Sequence, residues 1–229
     1  MSDFIQYDIT SATLEEFVSF LFDHEPVRLS HRPEDPTPWY VEVEYDPSRP
    51  QVLFDPSYVL VLYTQLFTEP MKWLSRYSKA QLEQGCWAML GGNLDCGVMP
   101  LIGEQAVSYD IREGCVRSMF FLFERFFSAV SLETYPYMWW DALAYDWECG
   151  NYRRENGGED LWMQDAMFET LTQILNLPSV ECQQAALHGL GHLHHPDTEA
   201  LVLRYLARNE PMDPVLRAYA EAASQFNVQ

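Results

Sequence analysis

The chain has 229 residues, with 34 acidic against 14 basic side chains and a formal charge of −20. Its 48% hydrophobic and 14% aromatic content is enough to bury a substantial core, which excludes disorder of the whole chain. Such a field repels nucleic acid and anionic membrane surfaces and favours basic partners, although the same acidity would also serve solubility.

The five cysteines, Cys86, Cys96, Cys115, Cys149 and Cys182, form no CxxC pair, so neither a zinc ribbon nor a redox dithiol is indicated. The N-terminus is acidic and lacks the basic start and apolar run of a signal peptide. No apolar stretch reaches the ~18 residues of a membrane span. The expectation is a cytoplasmic protein with reduced thiols, no membrane contact and no direct nucleic-acid binding.

In chain order, residues 10–23 read as a helix: Thr13 or Ser11 can cap it, Glu15 and Glu16 sit in its first turn, and Leu14, Phe17, Val18 and Leu21 repeat at helical spacing. Six prolines then fall between 26 and 50. Among them, the alternation in 39–45 predicts a half-buried strand, with 51–54 as its hairpin partner. Asp55 and Pro56 mark a helix start, followed by a nearly all-apolar run to Phe67. Ser78 opens another helix that ends at Leu90, before Gly91. Residues 91–103 read as a glycine-rich loop without the spacing of a phosphate loop.

Residues 107–130 read as one helix, apolar on every side in its second half and therefore enclosed by others. A further helix, 137–147, carries Trp139, Trp140 and Trp147, and a polar loop, 149–159, follows it. The tail reads as two helical pairs, 160–176 with 180–194 and 197–208 with 214–224, joined by proline-marked turns. A helical hairpin cannot bury its apolar face alone, so repeated hairpins stack. The expected architecture is all-α, about eight helices with a small N-terminal β ribbon. It is laid out as one domain with segments 1–55, 56–159 and 160–229.

The run 182–193 (CQQAALHGLGHL), followed by His194, His195, Pro196 and Asp197, resembles HEAT-like repeats, in which an Ala-rich inner helix ends in Gly-x-Leu and an Asp opens the next unit. The resemblance covers about the last 70 residues and implies a helical solenoid that binds other proteins. The second pair departs from the pattern at Tyr219, which is bulky where a small residue is usual, as a terminal cap would be.

On a helical wheel, Cys182, Ala186, Leu190 and Leu193 share the buried face. Glu181, Gln184, His188, His192 and His195 fall on the opposite, exposed side. Three imidazoles on such a stripe can hold zinc or nickel, yet HExxH is absent because position 189 is glycine. The plain expectation is a solvated face whose removal moves stability by no more than ~0.5 kcal/mol. Cys182 points away from the histidines, which disfavours a Cys–His dyad. No GxSxG elbow occurs, and acidic pairs such as Glu159–Asp160 sit at helix starts, where the macrodipole accounts for them.

Between Glu133 and Glu169 there are nine acids and two arginines. Asp141, Glu148, Glu155, Glu159 and Asp160, with Trp139 and Trp140 as aromatic anchors, suit a basic protein partner. The sequence therefore reads as a non-enzymatic interaction module without a cofactor, of the immunity type that neutralises a toxin. The alternatives are a metal-dependent hydrolase using His188, His192 and His195, and an acidic scaffold or nucleic-acid mimic.

Overall fold

The computed structural model describes residues 7–27, 36–42, 52–91, 94–132 and 135–228. It is mostly α-helical, with twelve α-helices and one two-stranded sheet among the described residues. The chain forms two compact units, Met1–Cys115 and Val116–Gln229. No helix among the described residues is long and apolar enough to cross a membrane.

In the first unit, α1 (Leu14–Phe22) starts on a reciprocal capping box, with the Thr13 side chain accepting from Glu16 N–H and the Glu16 carboxylate accepting from Thr13 N–H. Phe17, Val18 and Leu21 are fully buried, as their spacing requires. The helix α3 (Pro56–Thr68) is capped by Asp55 with Pro56 in its first turn, and α5 (Lys79–Leu90) is capped by Ser78. Both α3 and α5 pack on α1. Gly85 permits the α1–α5 approach, because a Cβ there would lie 2.2 Å from Phe22. Gln84, also buried, accepts from Val27 N–H and donates to Glu25 C=O, tying down the chain beyond α1.

Three expectations fail in this unit. Residues 39–42, expected in a strand, form the helical turn α2 (Trp39–Glu42), while 43–45 lie outside the described residues. The proline at 38 starts that turn, its carbonyl accepting from Val41 N–H, and Trp39 stacks on His24 at 4.0 Å. Among the described residues no hairpin forms either: β2 (Val52–Leu53) pairs in parallel with β1 (Tyr7–Asp8), in the register Tyr7↔Val52 and Asp8↔Leu53. Within the expected glycine-rich loop, α6 (Val98–Gly103) forms because Val98, Leu101 and Ile102 find burial. The short α4 (Pro70–Leu74) has a proline start that the sequence reading passed over.

The helix α7 (Tyr109–Leu122) crosses the boundary between the units and continues as a π-helical turn, Phe123–Phe127, closed by Ser128 N–H on Phe123 C=O at 2.9 Å. The second unit then contains α8 (Tyr135–Glu148), a 3₁₀ turn at Arg154–Asn156, α9 (Gly158–Leu175), α10 (Val180–Leu193), α11 (Thr198–Arg208) and α12 (Pro214–Ser224). Each of the four tail helices agrees with its expected span to within about two residues. The helix α9 packs on α10, α11 on α12, and α12 on α10, while α8 lies along α10. The result is that α10 is surrounded. Every residue from Ala185 to Leu193 is buried.

Gly189 sets how closely α8 and α10 approach, since a Cβ there would lie 2.5 Å from Trp140 Cβ and 2.9 Å from Leu171. Gly189→Ala gains ~1 kcal/mol of helix propensity but overfills a tight contact, which costs ~1–3 kcal/mol or more when the overlap is with a rigid atom. The variant is expected to unfold at lower urea concentration than the parent. A raised midpoint would show that the two helices can separate without cost.

Candidate functional site

Tyr137, Asp141 and Glu148 recur at i, i+4 and i+11 on one face of α8, and His188 and His192 at i and i+4 on the facing side of α10. Two short polar stripes therefore meet between the helices. The expected exposed histidine face does not exist: His188, His192 and His195 are 2%, 5% and 3% exposed. The physical reason is α8, which covers the side of α10 that carries His188 and His192, while Asp165 and Phe168 of α9 enclose His195.

Buried imidazoles need hydrogen-bond partners, and each of these has them. The His192 Nδ1–H donates to the Glu148 carboxylate in a short bond. His188 Nδ1 lies 2.5 Å from the Tyr219 hydroxyl of α12, which in turn lies 2.6 Å from the Tyr137 hydroxyl. The other ring nitrogens turn toward one point. His188 Nε2 and His192 Nε2 are 3.2 Å apart, and they lie 3.3 and 3.1 Å from Asp141 Oδ1. Tyr137 packs on the His188 ring at 4.0 Å and Tyr145 meets the His192 ring edge-on at 5.7 Å. Burial, reinforced by the adjacent His192, pushes His188 down to about 4 despite Asp141, so it is neutral at pH 7. Burial and then Tyr137 push the Tyr219 hydroxyl up, keeping it a neutral donor and acceptor.

Of the three histidines grouped from sequence, only two come together, and Asp141 takes the place of the third. Among the described residues, Asp141, His188 and His192 are the group whose donor atoms could hold a metal ion. His195 serves a different contact. Its Nδ1 accepts from Asp197 N–H at 3.1 Å, so Nε2 carries the proton and donates to Asp165 Oδ1 at 2.9 Å. Arg154 holds the same carboxylate oxygen at 2.5 Å, and Phe168 stacks on the ring at 3.9 Å. This clamp joins the 3₁₀ turn and α9 to the end of α10. His194 stays exposed, caps α10 with φ of 53°, and stacks on Phe226.

The expected partner patch is altered in the same way. Trp139 and Trp140 are fully buried and cannot serve as anchors; Trp139 donates its indole N–H to Met119 Sδ at 3.3 Å. Asp141 and Glu148 face the imidazoles, and Asp160 accepts from Asn156 and from Arg153 N–H. Asp146 accepts from Asn151, and Glu169 pairs with Arg117. Glu155 and Glu159 remain exposed, whereas Glu133 lies outside the described residues. Cys182 is buried beside Phe123 C=O and Ser128, and that burial raises its thiol pKa, consistent with a packing role.

From the sequence alone Asp141 and Glu148 point to a partner and Tyr219 to a terminal cap, and Tyr137 carries no assigned contact. The available signal was the matched helical spacing of Tyr137, Asp141 and Glu148 with His188 and His192. No protein-family profile, curated protein or solved structure matches the chain.

Because His188 is enclosed, His188→Ala leaves a cavity and removes the imidazole partner of Asp141 and Tyr219. It should cost about 2–4 kcal/mol in denaturant unfolding. A change within ~0.5 kcal/mol would restore the solvated-face reading.

The His195 clamp has a pH signature. Burial lowers the His195 pKa from its ordinary 6.5, with Arg154 acting in the same direction and Asp165 opposing. Between that lowered value and 6.5 the unfolded chain binds more protons than the folded one. Stability from this residue is therefore complete above 6.5 and declines as pH falls below it. His195→Gln should flatten that part of the stability profile, as measured by denaturation midpoints between pH 7.5 and 5. An unchanged slope would show that the clamp does not titrate.

Proposed function

We propose that the chain is a non-enzymatic cytoplasmic binding protein of the immunity type, which neutralises a basic toxin protein by covering part of its surface. Its tail helices are read as HEAT-like hairpins, α9 with α10 and α11 with α12, an architecture suited to holding a partner-binding face. The observation that carries the reading is at the start of α9. Trp162 is 52% exposed, and Glu155 and Glu159 are exposed nearby in sequence. An exposed indole among carboxylates combines an apolar anchor with charges that steer a basic protein. The net charge of −20 extends that steering to long range.

The anchor in this reading is Trp162, and the steering charges are Glu155 and Glu159. Once a partner is captured by affinity pull-down, association and dissociation rates can be followed across a salt series. Glu155→Lys with Glu159→Lys should slow association, and the wild-type rate should fall as salt shortens the Debye length from ~10 Å at 0.1 M to ~3 Å at 1 M. Trp162→Ala should mainly speed dissociation. Salt-independent association that ignores the charge reversals would assign the acidity to solubility.

A further inference from the structure

We infer that Asp141, His188 and His192 form a binding site for one divalent first-row transition-metal ion of the zinc class. The inference is independent of the partner-binding face on α9.

The first support is the size of the donor triangle. Its three edges are 3.1, 3.2 and 3.3 Å. A tetrahedral zinc ion with bonds of ~2.0–2.1 Å spaces its ligand atoms ~3.3 Å apart, so the three atoms already stand at the corners of one tetrahedral face. The second is the donor chemistry. Two imidazole nitrogens and one carboxylate oxygen suit zinc and its first-row neighbours, whereas calcium and magnesium take oxygen ligands.

The third support is what lies behind the ligands. A metal-ligating histidine commonly donates its other ring N–H to an oxygen, which fixes the tautomer and aims the free lone pair. Glu148 does this for His192, and the Tyr219 hydroxyl is placed to do it for His188. Without an ion, His188 Nε2–H donates toward Asp141 Oδ1 and the His192 Nε2 lone pair. An ion would replace that proton, with the Tyr219 hydroxyl then accepting from His188 Nδ1–H so that both Nε2 lone pairs meet the metal. The three atoms that share one proton in this arrangement can share one metal cation instead. Three protein ligands also leave a coordination position for water or a substrate atom, and the Asp141 side chain is 32% exposed, which gives that position a route to solvent.

The test uses the full chain, stripped with a chelator and titrated with Zn²⁺ by calorimetry and with Co²⁺ as a visible probe. One equivalent of Zn²⁺ should bind, and Co²⁺ should develop d–d absorption that saturates at one equivalent and is displaced by Zn²⁺. Asp141→Asn, which preserves shape, and His192→Ala should each abolish stoichiometric binding or weaken it at least 100-fold. Glu148→Gln should weaken it by roughly 10–100-fold with helix content unchanged. His195→Gln and His194→Ala, outside the triangle, should leave affinity within twofold. Absence of stoichiometric binding to the folded wild-type chain would overturn the inference. So would binding that survives both Asp141→Asn and His192→Ala, or binding lost with His195.

Discussion

The second unit depends on the enclosure of the last nine residues of α10. A helix buried from Ala185 to Leu193 must satisfy every polar side chain it carries inside the protein, and two of these are histidines. Leaving a buried imidazole unpaired costs ~1–3 kcal/mol per group, enough to consume much of the stability of a small domain. The fold meets this with carboxylates and a phenol from both flanking helices: Asp141 and Glu148 from α8, Tyr219 from α12. Gly189 lets α8 approach closely enough for those bonds to form. Close packing and polar pairing are thus one constraint viewed from two sides of α10.

How much of this was legible follows from which interactions are local. The helices of the tail were readable because the prolines that mark their turns act within a few residues. The cap at Ser78, and Thr13 as one of two candidate caps of α1, were readable for the same reason, while the capping boxes they belong to emerged only in the structure. The parallel pairing of Val52 with Tyr7 was not, since nothing near Val52 specifies a partner some 45 residues earlier. The 39–42 turn misled because alternation in so short a run is equally compatible with a helical turn set by the preceding proline.

The candidate site failed in a more instructive way. The wheel correctly placed Cys182, Ala186, Leu190 and Leu193 inside and Glu181 outside, but it also assigned His188, His192 and His195 to the exposed side, because one helix considered alone must have an outside. A helix with neighbours on every side has none. His195 then separated from His188 and His192 because the helix ends at Leu193, and the αL residue His194 redirects the chain. The acids meant for a partner were similarly reassigned. Asp141, Glu148 and Asp165 are internal counterparts of histidines, whereas Glu155, Glu159 and Trp162 are exposed.

The central claim is that His192 is a buried residue whose Nδ1–H is held by Glu148. Long-range proton–nitrogen correlation spectra of the imidazoles test it most directly, because they report both tautomer and exchange rate. The account predicts a slowly exchanging ring N–H assigned to Nδ1 of His192, lost in Glu148→Ala while the His195 signal persists. A His192 ring that exchanges as fast as a free imidazole, with mixed tautomers, would contradict it.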